Sequence, residues 1–225
     1  VDDLLNVNMT EKIEKYSSND YDFFLFDSLE NMVEEIKLRN NENGLSRLIA
    51  GYSWKWVSNN DKSLYDIKIE DVELQWNATS NDWINSENSV NEVGCIHTTQ
   101  GYDLNYSGII FSNEISYDSE REEILIKEEN YYDRNGKQSI KDPEELKNFI
   151  LNIYKTILLR GIKGTYVYVC DPELKKYLES FIPKFKTEQK EVKQLFRKDN
   201  IKPFENAVPL YDLKVAAGEF GEIDQ

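Results

Sequence analysis

The sequence predicts an α/β protein with a mainly parallel sheet that is wound on both sides by helices. Strand-length apolar runs alternate with amphipathic helical stripes along most of the 225 residues. The first strand, helix and strand follow one another with short joints, which is typical of a parallel βαβ unit. Two Asp-Pro-Glu segments, 142–144 and 171–173, each supply an acidic cap and a proline at the first helical position. This order of elements is that of a doubly wound sheet.

The first βαβ unit begins with an aromatic run of strand length, Tyr21–Phe26. Asp27 then offers a helix cap, and Glu30 follows three residues later, as in a capping box. Apolar residues at helical spacing predict a helix to about Asn40, namely Leu29, Met32, Val33 and Ile36. Arg47–Tyr52 supplies the next strand.

The pattern loosens between residues 53 and 88, where all four tryptophans of the chain lie in polar sequence. They are Trp54, Trp56, Trp76 and Trp83. One interpretation is that they cover the edge of the sheet, since burial is the commoner use of a scattered indole. The other is that they form a surface on which nucleic-acid bases stack.

Residues 93–111 are the first place to look for chemistry. A short apolar strand, Val93–Ile96, is followed by a polar turn, His97–Gly101, and then by a second buried strand, Gly108–Phe111. Open α/β sheets hold ligands just past the carboxyl ends of their strands, where side chains and free backbone N–H groups point outward. We therefore expect the polar turn to lie at such an edge.

Residues 112–141 form an acidic insertion, in which Ile124 and Ile126 occupy alternate positions and a turn is predicted at Asp133–Gly136. This pattern predicts a β-hairpin or arm that projects from the sheet. The helix that starts at Asp142 carries a long apolar stripe, which ends near Arg160: Leu146, Phe149, Ile150, Ile153, Tyr154, Ile157 and Leu158. A last strand, Thr165–Cys170, and a helix from Asp171 complete the domain.

The composition suits one globular domain with appendages, because 40% of the residues are hydrophobic. No apolar run approaches a membrane span and no signal-peptide pattern is present, so we expect a cytoplasmic protein without membrane contact. Cys95 and Cys170 are predicted to be inert core thiols, and with His97 as the only histidine a His-rich metal site is excluded. The net charge of −15 predicts weak nucleic-acid affinity, although a small neutral or basic track can exist on an acidic body.

The two ends of the chain differ from its middle. Residues 1–19 are polar and are interpreted as a leader from a preceding domain, with a helical turn or two at 9–16. Residues 183–205 are basic, which favours a solvated linker over a dedicated nucleic-acid contact. The last segment, 206–225, resembles the self-cleavage region of LexA-type peptidase-like repressors. The bond matching their cleavage site is Ala217–Gly218.

Four stretches of the chain resemble a known family: Tyr21–Asp27, Arg47–Trp56, Val90–His97 and Arg160–Tyr168. With the segment His-Thr-Thr-Gln-Gly at 97–101, they are similar to the Schlafen group 3-like DNA/RNA helicases, and the segment itself resembles motif V of superfamily 1 helicases. The resemblance implies that residues 20–182 are a second RecA-like domain of P-loop NTPase type. The chain has no Gly-x-x-x-x-Gly-Lys-Ser/Thr loop to cradle phosphates. An N-terminal RecA-like domain of the same parent chain would therefore bind most of the ATP and Mg²⁺.

The resemblance assigns roles around the nucleotide. Arg160 occupies the place of the motif VI arginine finger, although Leu159 stands where a threonine often precedes that arginine. The alternative is that Arg160 only binds the last carbonyls of its own helix. Gln100, Gly101 and Asp103 match motif V positions that meet the nucleotide; Asp103 stands where the family usually has a longer glutamate.

Other matches concern phosphates and nucleic acid. Lys163 is either a further phosphate ligand or a surface lysine beside a turn. His97, Thr98 and Thr99 match the nucleic-acid side of motif V, where imidazole and hydroxyl groups donate to phosphate oxygens. For His97, a structural hydrogen bond is an equally good interpretation. Arg47, Tyr52 and Lys55 match a motif IV contact only loosely.

Two functions are compatible with these observations. The first is the second motor domain of an ATP-dependent DNA/RNA helicase or translocase, inactive as an isolated fragment. Its partners would be DNA or RNA and the N-terminal RecA-like domain of the parent chain. The second is a non-catalytic RecA-like scaffold for regulation or protein interaction, which the acidic balance and the insertion favour.

Overall fold

The computed structural model describes residues 1–7, 14–79 and 81–186. The strands are β1 (Asp22–Leu25), β2 (Ser46–Ala50), β3 (Ile67–Ile69), β4 (Val72–Trp76), β5 (Glu92–Gly94), β6 (Leu104–Phe111), β7 (Ile115–Asp118), β8 (Glu123–Ile126) and β9 (Gly161–Val169). The helices are α1 (Asp2–Asn6), α2 (Leu29–Asn43), α3 (Arg134–Ser139), α4 (Pro143–Leu158) and α5 (Pro172–Glu179). The predicted linker beyond Lys186 and the Ala217–Gly218 bond lie outside the described residues.

Seven of the described strands form one sheet, in the order β1-β9-β6-β2-β5-β4-β3. Every neighbouring pair is parallel except β3 with β4. The central strands β2, β6 and β9 are buried along most of their length, as strands covered on both faces must be. The predicted α/β class with a mainly parallel sheet is confirmed.

Helices cover both faces of the sheet, each over its own apolar core. On one face, α2 packs Leu29, Met32 and Ile36 against the even-numbered side chains of β6 and β9, such as Tyr106 and Tyr166. The other face is covered by α4, α5, α1 and the β7–β8 hairpin. Gly108 allows α2 to approach closely, because a Cβ there would lie 2.9 Å from Cγ1 of Ile36.

The helix caps are local features and most were predicted. Asp142 accepts from the backbone N–H of Glu144, and Asp171 accepts from that of Leu174, so both Asp-Pro starts are confirmed. The cap predicted for α2 was wrong by one residue, because Ser28 holds that position. Asp27 is instead drawn to two cations, with its Oδ1 2.9 Å from Nζ of Lys175 and 3.1 Å from Nζ of Lys184. The hydrogen bond from Lys175 is the main cause of the lowered pKa of Asp27.

The insertion forms a hairpin, but not the one predicted. Strands β7 and β8 pair antiparallel and turn at residues 119–122. The predicted turn at Asp133–Gly136 is wrong, because these residues lead into α3. The hairpin does not project from the sheet: Ile115 and Ile124 are buried in the core, and the ring of Tyr117 stacks on that of Tyr177 in α5 at 4.4 Å.

Strands β3 and β4 extend the sheet in the region where the pattern loosens, and tryptophans cover this extension. Trp76 and Trp83 are buried, and Trp54 packs edge-on against Trp76 with ring centroids 6.1 Å apart. These three indoles therefore cover the edge of the sheet. Trp56 differs, because 41% of it is exposed.

Both ends of the described chain pack on the domain. In the predicted leader, Leu4 and Leu5 are buried, and the hydroxyl of Tyr177 donates to the carbonyl of Leu4 at 2.9 Å. After α5 the chain pairs with the edge strand β1, and the ring of Phe185 stacks on that of Phe26 at 4.3 Å. The compact unit accordingly extends from Val1 to Phe185.

Candidate functional site

The polar turn predicted to carry chemistry belongs to a short crossover, residues 95–103. Strand β5 ends at Gly94, which is level with Ile49 of β2 and, through it, with Ile109 in the second half of β6. The chain must run back along the sheet to start β6 at Leu104. His97 lies near the carboxyl end of β2, with its ring 6.0 Å from that of Tyr52, so the polar turn begins at the expected edge. Asp103 lies at the amino edge of the sheet. Arg160 is the neighbour of Asp103 there, since the N–H of Leu104 donates to the carbonyl of Arg160 at 2.9 Å.

Two threonine hydroxyls hold the crossover together. Thr98 accepts from the N–H of Cys95 at 2.9 Å and donates to the carbonyl of the same residue. Thr99 is fully buried and also donates to that carbonyl, at 3.1 Å. The hydroxyls predicted to meet nucleic acid thus make hydrogen bonds inside the turn. Gly101 has a φ of 83°, which favours glycine at the point where the chain leaves the turn.

A groove of about 310 Å³ lies between this crossover and α4. Its lining mixes apolar and polar side chains: Ile96, His97, Gln100, Asp133, Phe149, Ile153, Thr156 and Arg160. Such a mixture suits a ligand with an apolar body and a few directed polar groups. Phe149 was predicted to face the core with the stripe of α4, but it is exposed here.

The guanidinium of Arg160 has N–H donors that make no hydrogen bond among the described residues. Its Nε is buried without a hydrogen-bond partner, and its Nη1 lies 3.4 Å from the carbonyl of Tyr102, at the long limit of a hydrogen bond. Within the described ranges it makes no ion pair, and its guanidinium does not bind the last carbonyls of α4. A buried donor without a partner is costly, so this arginine is suited to an acceptor supplied from outside the domain.

The other predicted nucleotide and nucleic-acid ligands divide between the two faces of the sheet. His97 and Gln100 are exposed and line the groove with Arg160, while Gly101 and Asp103 are exposed just beyond it. Lys163 is not brought to the groove. Its Nζ donates to the side chain of Asn43 at 2.7 Å, on α2, which covers the opposite face.

The loosely matched motif IV residues have mainly structural contacts. The Arg47 guanidinium is buried and donates to Asn40 and to the carbonyls of Ser46 and Ile84. The hydroxyl of Tyr52 donates to Sγ of Cys95 at 3.1 Å. Lys55 is exposed.

One titratable group was missed from the sequence. Glu114 immediately precedes β7 and is fully buried, and its Oε1 accepts from the hydroxyl of Tyr154 at 2.7 Å. Its Oε2 has no partner among the described residues. Burial raises the pKa of this carboxyl, and the pKa of the Tyr154 hydroxyl is raised as well, by burial and then by Glu114. A single acid in an acidic insertion carries no signal of such burial.

Glu114 makes stability depend on pH in a defined direction. Because its folded pKa is raised, the folded state holds a proton that the unfolded state has lost, and stability decreases as pH rises above the ordinary glutamate value. We expect Glu114→Gln to remove this dependence, since the amide is neutral and still accepts from Tyr154. Urea unfolding at pH 5 to 8 measures this dependence. As pH rises, the free energy of unfolding of the variant should increase relative to that of the wild type. A constant difference between the two proteins would contradict a raised pKa of Glu114.

Within the described part of the chain, no three His, Cys, Asp or Glu side chains are placed to hold a metal ion together. Among these same residues, no helix has the length and apolar character required to cross a bilayer. Cys95 and Cys170 are both free, and burial raises the pKa of the Cys170 thiol to about 12. A thiol with such a pKa is inert at neutral pH, as predicted.

Comparison with known proteins identifies the family. The Schlafen group 3 DNA/RNA helicase domain matches residues 1–171. The uncharacterized protein YPL245W of Saccharomyces cerevisiae (strain ATCC 204508 / S288c) is 32% identical over 166 residues. That alignment covers 70% of this chain and 36% of the yeast protein, so the chain spans about a third of that relative's length. No solved structure matches the chain significantly. Because the family match covers most of its length, the chain belongs to the Schlafen group 3 DNA/RNA helicase domain family.

Proposed function

We propose that this chain is the second, RecA-like motor domain of an ATP-dependent DNA/RNA helicase or translocase. The observation that carries the proposal is the Arg160 guanidinium, whose buried Nε has no partner in the described part of the chain while Gln100 lies in the same groove. An arginine with unused donors at a domain edge suits a phosphate, because its fork of N–H groups matches two oxygens at once.

The surface around Arg160 supports a site shared with another domain. Leu159 and Ile162 flank the arginine and are 68% and 62% exposed, the largest exposures among the large hydrophobic side chains of the described residues. Burial of these two apolar side chains against another domain would be favourable. We infer that the N-terminal RecA-like domain of the parent chain covers this edge and binds most of the ATP and its Mg²⁺.

The chemistry assigned to this chain is electrostatic. When ATP is bound, cleavage of its terminal phosphoanhydride bond develops charge on the γ-phosphoryl oxygens. Arg160 would donate to those oxygens, and Gln100 would hydrogen-bond nearby, so that hydrolysis requires the two domains to close. Three further nucleotide ligands are proposed that lie outside the groove: Gly101, Asp103 and Lys163.

The crossover also links the nucleotide to the nucleic acid. His97 and Gln100 belong to one turn that Thr98 and Thr99 lock by internal hydrogen bonds. A shift at Gln100 therefore moves His97 as part of the same rigid piece. We infer that His97 contacts the nucleic-acid backbone, and that Thr98 and Thr99 contribute through the geometry of the turn.

ATP turnover tests the proposal. We expect the full-length protein that contains this domain to hydrolyse ATP and to be stimulated by single-stranded DNA or RNA. The isolated 225-residue chain should show no turnover, because it lacks the phosphate-binding loop. Phosphate release assayed for both proteins with Mg²⁺ measures this.

The alternative of a non-catalytic scaffold is favoured by the net charge of −15. It predicts no turnover by the full-length protein under any condition, so the same assay decides between the two functions. Cleavage at Ala217–Gly218 by a LexA-type peptidase-like domain also remains a proposal about the parent protein. The appearance of a shortened product on storage of the full-length protein would support it.

A further inference from the structure

A lysine and two exposed aromatic side chains lie on the surface beyond the carboxyl end of β2, where Trp56 follows Lys55 in the chain and Lys55 contacts the ring of Tyr132. Trp56 is 41% exposed and Tyr132 is 40% exposed. Nζ of Lys55 lies over the Tyr132 ring, 5.8 Å from its centroid. Tyr132 comes from the insertion, and its N–H donates to the carbonyl of Tyr52 at 2.7 Å, which fixes it beside this loop. We call Lys55, Trp56 and Tyr132 the aromatic platform.

The loop that carries the platform is held by buried hydrogen bonds. Asp66 accepts from the N–H and the hydroxyl of Ser58, at 2.8 Å and 2.5 Å, and also from the N–H of Trp76. The amide of Gln75 donates to the carbonyls of Lys62 and Leu64. Trp56 is therefore exposed from a loop that is held in place, and Tyr132 is fixed beside this loop by its hydrogen bond to Tyr52. Rings that are held in place before binding lose little conformational entropy when a ligand stacks on them.

The chemistry of the platform selects its ligand. Lys55 makes no ion pair among residues 1–7, 14–79 and 81–186, so its charge is available to an anion. A duplex would approach a protein with a net charge of −15, which offers few cations to replace the counterions of the duplex. A single strand instead offers the flat faces of its bases, whose stacking on aromatic side chains is sequence-tolerant. Bases on the rings and a phosphate at Lys55 fit this surface.

The platform also leads towards the groove. Tyr132 is hydrogen-bonded to Tyr52, and the ring of Tyr52 lies 6.0 Å from that of His97, at the groove. A strand that stacks on the platform therefore reaches the crossover that carries Gln100. We propose that the aromatic platform binds single-stranded nucleic acid by base stacking and guides it to His97. The inference rests on the proposed motor function and names the surface that holds its track.

Binding of labelled oligonucleotides to the 225-residue chain tests the platform. Fluorescence anisotropy with 20-nucleotide oligothymidylate and oligouridylate should show that Trp56→Ala and Tyr132→Ala each weaken binding about tenfold, as expected for the loss of one stacked base. Lys55→Gln should reduce the slope of log K against log salt by about 0.7, which corresponds to one phosphate contact on a single strand. Lys37→Gln and Leu38→Ala, both on α2, are the matched controls and should bind like the wild type.

Two results would overturn the inference. Either the wild type binds neither oligonucleotide at low salt, or it binds and the Trp56 and Tyr132 variants bind equally well. The second result would place the strand on the basic segment after α5 or leave the platform to a protein partner. Failure of the proposed motor function is a separate outcome. In that case the full-length protein would not hydrolyse ATP, but its aromatic platform would still bind single strands.

Discussion

Replacing Arg160 by alanine in the full-length protein is expected to lower ATP turnover by about 10³-fold or more, the range found when an arginine finger is lost. The reason is that, among the described residues, no other arginine or lysine lines the groove with Gln100. Affinity for ATP should change little, since the proposal assigns most contacts with the nucleotide to an N-terminal RecA-like domain. Arg160→Lys should recover only part of the rate, because an ammonium group lacks the fork of donors.

Arg121→Ala is the matched control for this experiment. Arg121 lies at the turn of the β7–β8 hairpin with 72% of its side chain exposed, and its contacts with Asp118 and Glu123 are at 3.7 Å and 3.9 Å. Surface ion pairs of this kind contribute little. Turnover by Arg121→Ala should match that of the wild type. Retained turnover in Arg160→Ala would remove this arginine from the mechanism.

Trp83→Ala is expected to destabilise the domain by about 3–5 kcal/mol, the usual cost of deleting a buried tryptophan. Trp83 is fully buried, and its Nε1 donates to Oε2 of the buried Glu92 at 2.8 Å. Its ring also fills the space beside Gly94, where a Cβ would lie 2.4 Å from Cζ3. The variant therefore leaves a cavity and takes a donor from a buried carboxylate. Urea unfolding measures the free energy lost.

Trp56→Ala provides the matched comparison, because it deletes the same side chain from a surface. Its free energy of unfolding should stay within about 0.5 kcal/mol of the wild type. A small effect there also shows that the variant is folded when its oligonucleotide affinity is measured. Equal losses for Trp83→Ala and Trp56→Ala would contradict the different burial of the two indoles.

The features that the sequence predicted well are those decided by neighbouring residues. Asp142 and Asp171 cap their helices because the capping oxygen, the proline and the orphan N–H groups lie within one turn. The cap of α2 could not be predicted so well, since Asp27 and Ser28 are both competent. Lys175 and Lys184, distant in sequence, draw Asp27 away from the helix.

The features that were missed depend on distant contacts. Strands β3 and β4 are short, and their pairing with each other and with β5 has no periodic signal. Residues 133–136 have turn composition, yet residues 134–136 form the first part of α3. Composition could not show that the Glu114 carboxyl is buried and accepts a hydrogen bond from the Tyr154 hydroxyl.

The candidate site was predicted in part. His97, Gln100 and Arg160 were chosen from motifs, and the structure places all three in one groove. His97 lies near the expected carboxyl edge, but Arg160 lies at the amino edge. Only the register of β5 and β6 shows that the crossover connects these two edges. Phe149 satisfies the helical apolar period and yet faces the groove, since periodicity does not show what packs opposite each position.

The affinity of the full-length protein for a transition-state mimic, ADP with aluminium fluoride and Mg²⁺, tests the proposed ATP site most directly. If Arg160 serves the transferring phosphoryl group, Arg160→Ala should lose at least about tenfold in affinity for the mimic, the share of one charge-assisted hydrogen bond. Its affinity for a non-hydrolysable ATP analogue should remain within about twofold of the wild type. Equal affinity of Arg160→Ala and Arg121→Ala for the mimic would contradict the account.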